Sequence, residues 1–136
     1  MKDAQAQWLY DYTHQLADKM GLKDWDFDVL RDPPAEDDHF ACIESIYGRK
    51  YAQIQVREDF LAADPEVQRR TLAHELVHCH MAPAQNWIDE MGKNGEITSA
   101  SYRAFRMCLE YGVDGLADVL APLLPLPGEQ PEEKNE

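Results

Sequence analysis

Cysteine is scarce in this 136-residue chain, and its three copies, Cys42, Cys79 and Cys108, are widely separated with no Cys-x-x-Cys pair among them. An odd, scattered set is poor material for a disulfide framework and suits a reducing compartment. Long apolar runs are also missing: the first residues, Met1-Lys2-Asp3-Ala4-Gln5, lack the apolar core of a secretory leader, and no stretch approaches a membrane span. Positive charge is the third shortage. Thirteen Lys and Arg stand against 26 Asp and Glu, a net charge of −13. Such a surface repels phosphate backbones and disfavours nucleic acid as a partner. The residues from Gly128 to Glu136 carry four Glu and one Lys, a net of −3, which leaves −10 on the body. These shortages predict a cytoplasmic protein with no membrane and no nucleic-acid partner.

With 44% apolar and 29% charged residues, the chain has the composition of one globular domain, large enough to bury a core without staples. Trp8, Leu9, Tyr12, Leu16 and Met20 recur at helical spacing, with Gly21 as a stop. Trp25, Phe27 and Val29 alternate with polar residues as in a short strand, and 32–38 reads as a loop. Residues 40–47 and 51–57 flank the turn Gly48-Arg49-Lys50 and predict a β-hairpin. Asp64-Pro65 starts a helix expected to run to about Met81, where Pro83 stops it. A short helix is expected over 85–91. A long last helix follows from Thr98 or Ser99, with Tyr102, Phe105, Leu109, Val113, Leu116 and Leu120 as its apolar stripe. The order predicts an α+β domain over residues 1–122, with a small three-stranded, largely antiparallel sheet packed against helices. Residues 123–136 are expected to form a disordered acidic Pro/Glu-rich tail.

The chemistry concentrates in His74-Glu75-Leu76-Val77-His78. Positions four apart on a helix share a face, so both imidazoles can meet one ion, at roughly 2.0–2.1 Å for zinc. Glu75 lies beside them in projection, where it can serve as a general base without being a ligand. With this composition a shuffled chain contains an HExxH by chance in roughly one or two per cent of cases. Its place on a capped amphipathic helix strengthens the signal.

Two histidines do not complete a catalytic zinc site, which ordinarily has three protein ligands. The position six residues after His78 is Ala84, so no third His follows there. Glu110, at the margin of the apolar stripe, is the leading third ligand. Asp114, one turn on, is placed to accept the free ring N–H of a ligating His. Asp89, Glu90 and Glu96 compete for the third position from weaker secondary structure. His80 falls on another face of the helix and reads as a rim His. Cys79 reads as a small buried residue. His39 and Tyr51 flank the hairpin and are candidates to steady an oxyanion, although a strand Tyr is more often packing.

The HELVH segment followed by a Glu-x-x-x-Asp helix resembles the gluzincin arrangement. More narrowly, the segment Glu110-Tyr-Gly-Val-Asp114-Gly-Leu-Ala117-Asp-Val-Leu120-Ala-Pro122 is similar to the corresponding helix of ImmA/IrrE-type metallopeptidases. The chain departs from that family's usual Gly at Val77. The resemblance covers 1–122 in layout and 71–81 and 105–122 in motif. It implies a minimal zincin-like fold, zinc held by His74, His78 and Glu110, Glu75 as the base, and Asp114 behind a ligating His. It also implies a cytoplasmic peptidase of phage or mobile-element type (in the host cytoplasm if phage encoded), acting on repressors or host regulatory proteins. An extended substrate would pair with an outer strand of the hairpin. The reading from a different class is a metal-stabilised protein-binding module with little or no hydrolysis. A SprT-like protease acting on DNA-bound proteins is disfavoured by the acidic charge and by the missing zinc-ribbon cysteines.

Overall fold

The computed structural model describes residues 1–35 and 39–132. The part of the expected loop at 36–38 and the end of the expected tail at 133–136 lie outside the described residues.

Helix α1 spans Asp3–Lys19 and buries Leu9, Tyr12, Thr13 and Leu16, the inward side of its three- and four-residue spacing. It ends where Gly21 adopts a φ of +77°, a conformation that favours glycine, and Leu22 N–H reaches back 2.9 Å to Ala17 O. That bond satisfies one of the carbonyls that the helix end would otherwise leave open.

Three strands follow: β1 at Asp26–Val29, β2 at Ala41–Ser45 and β3 at Tyr51–Val56. Their spatial order is β1-β3-β2. The hairpin pairs β2 with β3 antiparallel, with Ile43 opposite Ile54, whereas β1 lies parallel to β3, with Phe27 opposite Ala52. The expected α+β class with a small three-stranded sheet holds, and the sheet is mixed, with one antiparallel and one parallel pair. Strand β3 alternates buried Ala52, Ile54 and Val56 with half-buried Tyr51, Gln53 and Gln55, so one face of the sheet is packed. Against that face lie α1 and the long helix over Pro65–Lys93, and Leu9, Leu16, Phe27, Ile54, Phe60, Leu72 and Leu76 form the common core.

The single turn α2 at Glu58–Leu61 inserts Phe60 into this core. Helix α3 then runs over Pro65–Lys93, not to Met81. Pro83 removes one i→i−4 hydrogen bond, at a cost of about 3 kcal/mol, yet the helix continues through it. The contacts beyond the proline offset this cost. Ala82 is buried, Asp89 accepts the Tyr102 hydroxyl at 2.7 Å, and Gly92 lies so close to the Tyr102 ring that a Cβ there would sit 3.4 Å from it. The expected separate helix over 85–91 is therefore the second half of α3.

Helix α4 spans Ser99–Leu120, with Thr98 Oγ1 accepting the Ser101 N–H at 3.0 Å as the N-cap. Only Val113 and Ala117 of α4 are buried, and Leu116, expected on the inner stripe, is exposed. A short 3-10 turn follows at Ala121–Leu123.

The described part of the expected disordered tail lies along the body. Leu124 is buried, Arg69 donates to Leu124 O at 3.1 Å, Tyr12 to Pro125 O at 2.9 Å, Trp8 to Gly128 O at 3.0 Å and Gln130 to Leu61 O at 2.7 Å. Composition does not reveal this docking, because most of the contacts are made by backbone carbonyls, which every sequence has.

Candidate metal centre

The middle of α3 is anchored by Leu72, Ala73, Leu76 and Val77, all buried. This fixes the opposite side of the helix, which carries His74 and His78, towards a cavity of about 710 Å³. The two rings lie 5.0 Å apart between centroids at 66°. Helix α4 crosses the mouth of the cavity and supplies Glu110. Its carboxylate spans the pair, with Oε1 3.0 Å from His78 Nε2 and Oε2 3.4 Å from His74 Nε2. One donor atom from each of His74, His78 and Glu110 lies within 4.8 Å of the others, so this cluster could hold a metal ion.

The two distances run to the two different oxygens of the Glu110 carboxylate, which thus bridges the imidazoles of His78 and His74. The other nitrogen of His74, Nδ1, lies 2.8 Å from Asp114 Oδ1. That contact fixes the ring orientation and leaves Nε2 facing the cluster. Burial pushes the His78 imidazole below its usual range, the nearby charges of His74 and Arg106 add to this, and Glu110 and Asp114 oppose it. A neutral ring nitrogen is the form that can donate to a metal.

Glu75 occupies the floor of the site. Its carboxylate is nearly buried, and its Oε2 accepts the Ile43 N–H at 3.2 Å. Burial raises its pKa from 4.5 to about 7; the Glu110 charge pushes the same way, and the Ile43 N–H partly offsets them. A carboxyl poised near neutrality is suited to proton transfer. Cys79 lines the same floor, but burial and the Glu75 charge push its thiol up to about 12, so it stays protonated.

The far wall of the cavity is Phe40 and strand β2, Ala41–Ser45. At its two ends Arg57 N–H bonds Phe40 O at 3.1 Å and Ile46 N–H bonds Tyr51 O at 3.0 Å. Antiparallel alternation then turns the backbone groups of Cys42 and Glu44 towards β3 and those of Ala41, Ile43 and Ser45 outwards. This outward row is the open edge of the sheet. Among the described residues, Glu75 on Ile43 N–H is its one hydrogen-bond partner outside the sheet.

The structure therefore brings His74, Glu75, His78, Glu110 and Asp114 to one cavity. Of the competing acids, Asp89 lines the cavity but is engaged by Tyr102, and Glu90 and Glu96 do not reach it. His39 lines the opposite wall. Tyr51 does not reach the cavity, because its hydroxyl is bonded to Asp28, so it is no oxyanion partner here. His80 lies outside the site, with Nε2 2.6 Å from Met20 O. Two arginines escaped the sequence reading. Arg70 Nη2 lies 3.8 Å from Asp114 and its Nε 2.7 Å from Asp118, steadying the acid behind His74, and Arg106 lines the cavity one turn before Glu110. Their only signal was spacing: each stands four residues ahead of a proposed ligand, His74 or Glu110. No family model, no curated protein and no solved structure matches the chain.

Proposed function

We propose that the protein is a zinc-dependent peptidase that cleaves an extended segment of a protein substrate. The observation that carries this reading is the convergence of two His and a Glu on one point, with a nearly buried Glu75 beside them, opposite an open strand edge. His74, His78 and Glu110 would hold the zinc, which lowers the pKa of water and polarises a carbonyl when bound. Two imidazoles and one carboxylate suit zinc and leave a fourth position for water or substrate.

The remaining steps belong to this chain's own side chains. Glu75 removes the proton from the attacking water and delivers it to the departing amine, and Ile43 N–H holds its carboxylate in place. Asp114 orients His74 and is itself held by Arg70. The outward groups of Ala41, Ile43 and Ser45 offer backbone pairing to an extended peptide, the mode by which a strand is added to a sheet edge. The cavity of about 710 Å³ accommodates several residues of such a peptide. The net charge of −13 favours a protein substrate over nucleic acid. A cytoplasmic setting and a repressor or host regulatory protein as substrate complete the reading, on the strength of the family resemblance.

The test is the Glu75→Gln variant, which changes the base and no ligand. It should retain one zinc per chain and lose cleavage of a proteome-derived peptide library that the wild-type protein cuts. Equal cleavage by the variant would refute the role of Glu75. A wild-type protein that binds zinc and cuts nothing would refute the peptidase reading and favour the binding module.

A further inference from the structure

Helix α4 is apolar on two sides and packed on only one. Its inner side buries Val113 and Ala117. On the opposite side Ala104, Cys108, Tyr111, Gly112, Gly115 and Val119 recur at three- and four-residue steps, all exposed. A helix with apolar residues all round is ordinarily buried all round. Met107 and Leu116 flank this outer face and Leu123 extends it. The exposures are large: 73% for Met107, 86% for Tyr111, 67% for Val119 and 79% for Leu123. The charged residues between 107 and 123, namely Glu110, Asp114 and Asp118, stand towards α3, where they meet His74, His78 and Arg70. Asp118, which projects between Met107 and Tyr111, is paired with Arg70 at 2.7 Å, so the outer face carries no unpaired charge on a chain of net charge −13.

We infer that this face is the contact surface between two copies of the chain, with their α4 helices crossing antiparallel about a twofold axis near Gly112 and Gly115. A Cβ at either glycine would meet nothing within 4 Å inside one chain, so neither is needed for internal packing, and both permit close approach of another helix. The large side chains are distributed on both sides of the glycines. An antiparallel crossing there brings Gly112 to Gly115 of the second copy and Cys108 to Val119, which share one flank of the helix, as the self-complementarity of a twofold contact requires.

Charge and area both select a second copy as the occupant. Two chains of −13 repel each other over most of their surface, and a face without unpaired charge is where they approach at least electrostatic cost. The exposed side chains of the face amount to roughly 600 Å², at the upper end of what a monomer leaves uncovered. Pairing two copies would bury about 1,200 Å², the lower bound for a stable interface.

The experiment is light-scattering mass measurement of the zinc-loaded full chain at about 100 μM in physiological salt, for wild type and for Tyr111→Asp/Val119→Asp. The wild type should have twice the 15.6 kDa chain mass. The variant should fall to the single-chain mass with unchanged zinc content and circular dichroism, because both side chains point to solvent within one copy. A short bismaleimide should join Val119→Cys to the native Cys108 of the second copy, and Cys108→Ser should abolish this. A monomeric wild type overturns the inference, as does a dimer that survives the double substitution. A dimer lost on double substitution but without the 108–119 cross-link overturns the antiparallel crossing. None of these outcomes depends on peptidase activity.

Discussion

Replacing Glu75 by Gln should stabilise the metal-stripped protein, by an amount that depends on pH. The carboxyl is nearly buried, and its pKa rises from 4.5 to about 7. At about 1.4 kcal/mol per unit, ionising it inside the fold costs on the order of 3 kcal/mol. Below pH 4.5 the group is protonated both folded and unfolded, and the cost is absent. Between 4.5 and 7 the unfolded chain ionises while the folded chain keeps the proton, so stability falls as pH rises. Above 7 both states are ionised and the whole cost is present. Gln is neutral throughout and its amide oxygen can still accept the Ile43 N–H. The variant's advantage should therefore grow from near its acid-side value at pH 4.5 to about 3 kcal/mol more at pH 8. In a domain of this size that is on the order of 10 °C in melting temperature. Thermal melts of the EDTA-treated pair at half-unit intervals from pH 4.5 to 8.5 would measure it. A difference that stays flat across this range would show that Glu75 is not held in a desolvated position. Zinc should shrink the difference, because a nearby cation favours the carboxylate.

His74→Ala should abolish stoichiometric zinc binding, whereas Asp114→Asn should weaken it by roughly 10–100-fold, as expected when only the orientation of a ligating His is lost. Competition with a chelator of known affinity measures both, and an Asp114 effect equal to that of His74 would contradict the geometry. Truncation after Leu123 should lower stability by about 3 kcal/mol, since it removes the buried Leu124 side chain and the acceptors of Arg69 and Tyr12. An unchanged urea midpoint would show that this segment contributes nothing.

Several parts of the fold were legible because they depend on local periodicity. The α1 stripe with its Gly21 stop, the hairpin around Gly48 and the Thr98 cap are encoded within a few residues. The HExxH pair was legible for the same reason, since helical geometry alone puts positions four apart on one face. Other features depend on contacts distant in sequence. Pro83 reads as a helix stop until Tyr102 meets Asp89 and Gly92. The tail reads as disordered until Trp8, Tyr12, Arg69 and Gln130 reach its carbonyls and the Leu61 carbonyl.

By itself, then, the sequence determined the class of the fold, the helix that carries His74, Glu75 and His78, and the candidacy of Glu110 and Asp114, because each follows from residue type and spacing along one element. Only the tertiary structure decided that Glu110, 32 residues beyond His78, closes on His78 and His74 at 3.0 and 3.4 Å. It alone decided that Ile43 N–H fixes Glu75, that Arg70 backs Asp114, and that β2 rather than β3 is the open edge beside them. The physical reason is that metal coordination, desolvation and strand order arise from groups brought together by packing of separate elements, and no periodicity within one element records which neighbour it will meet.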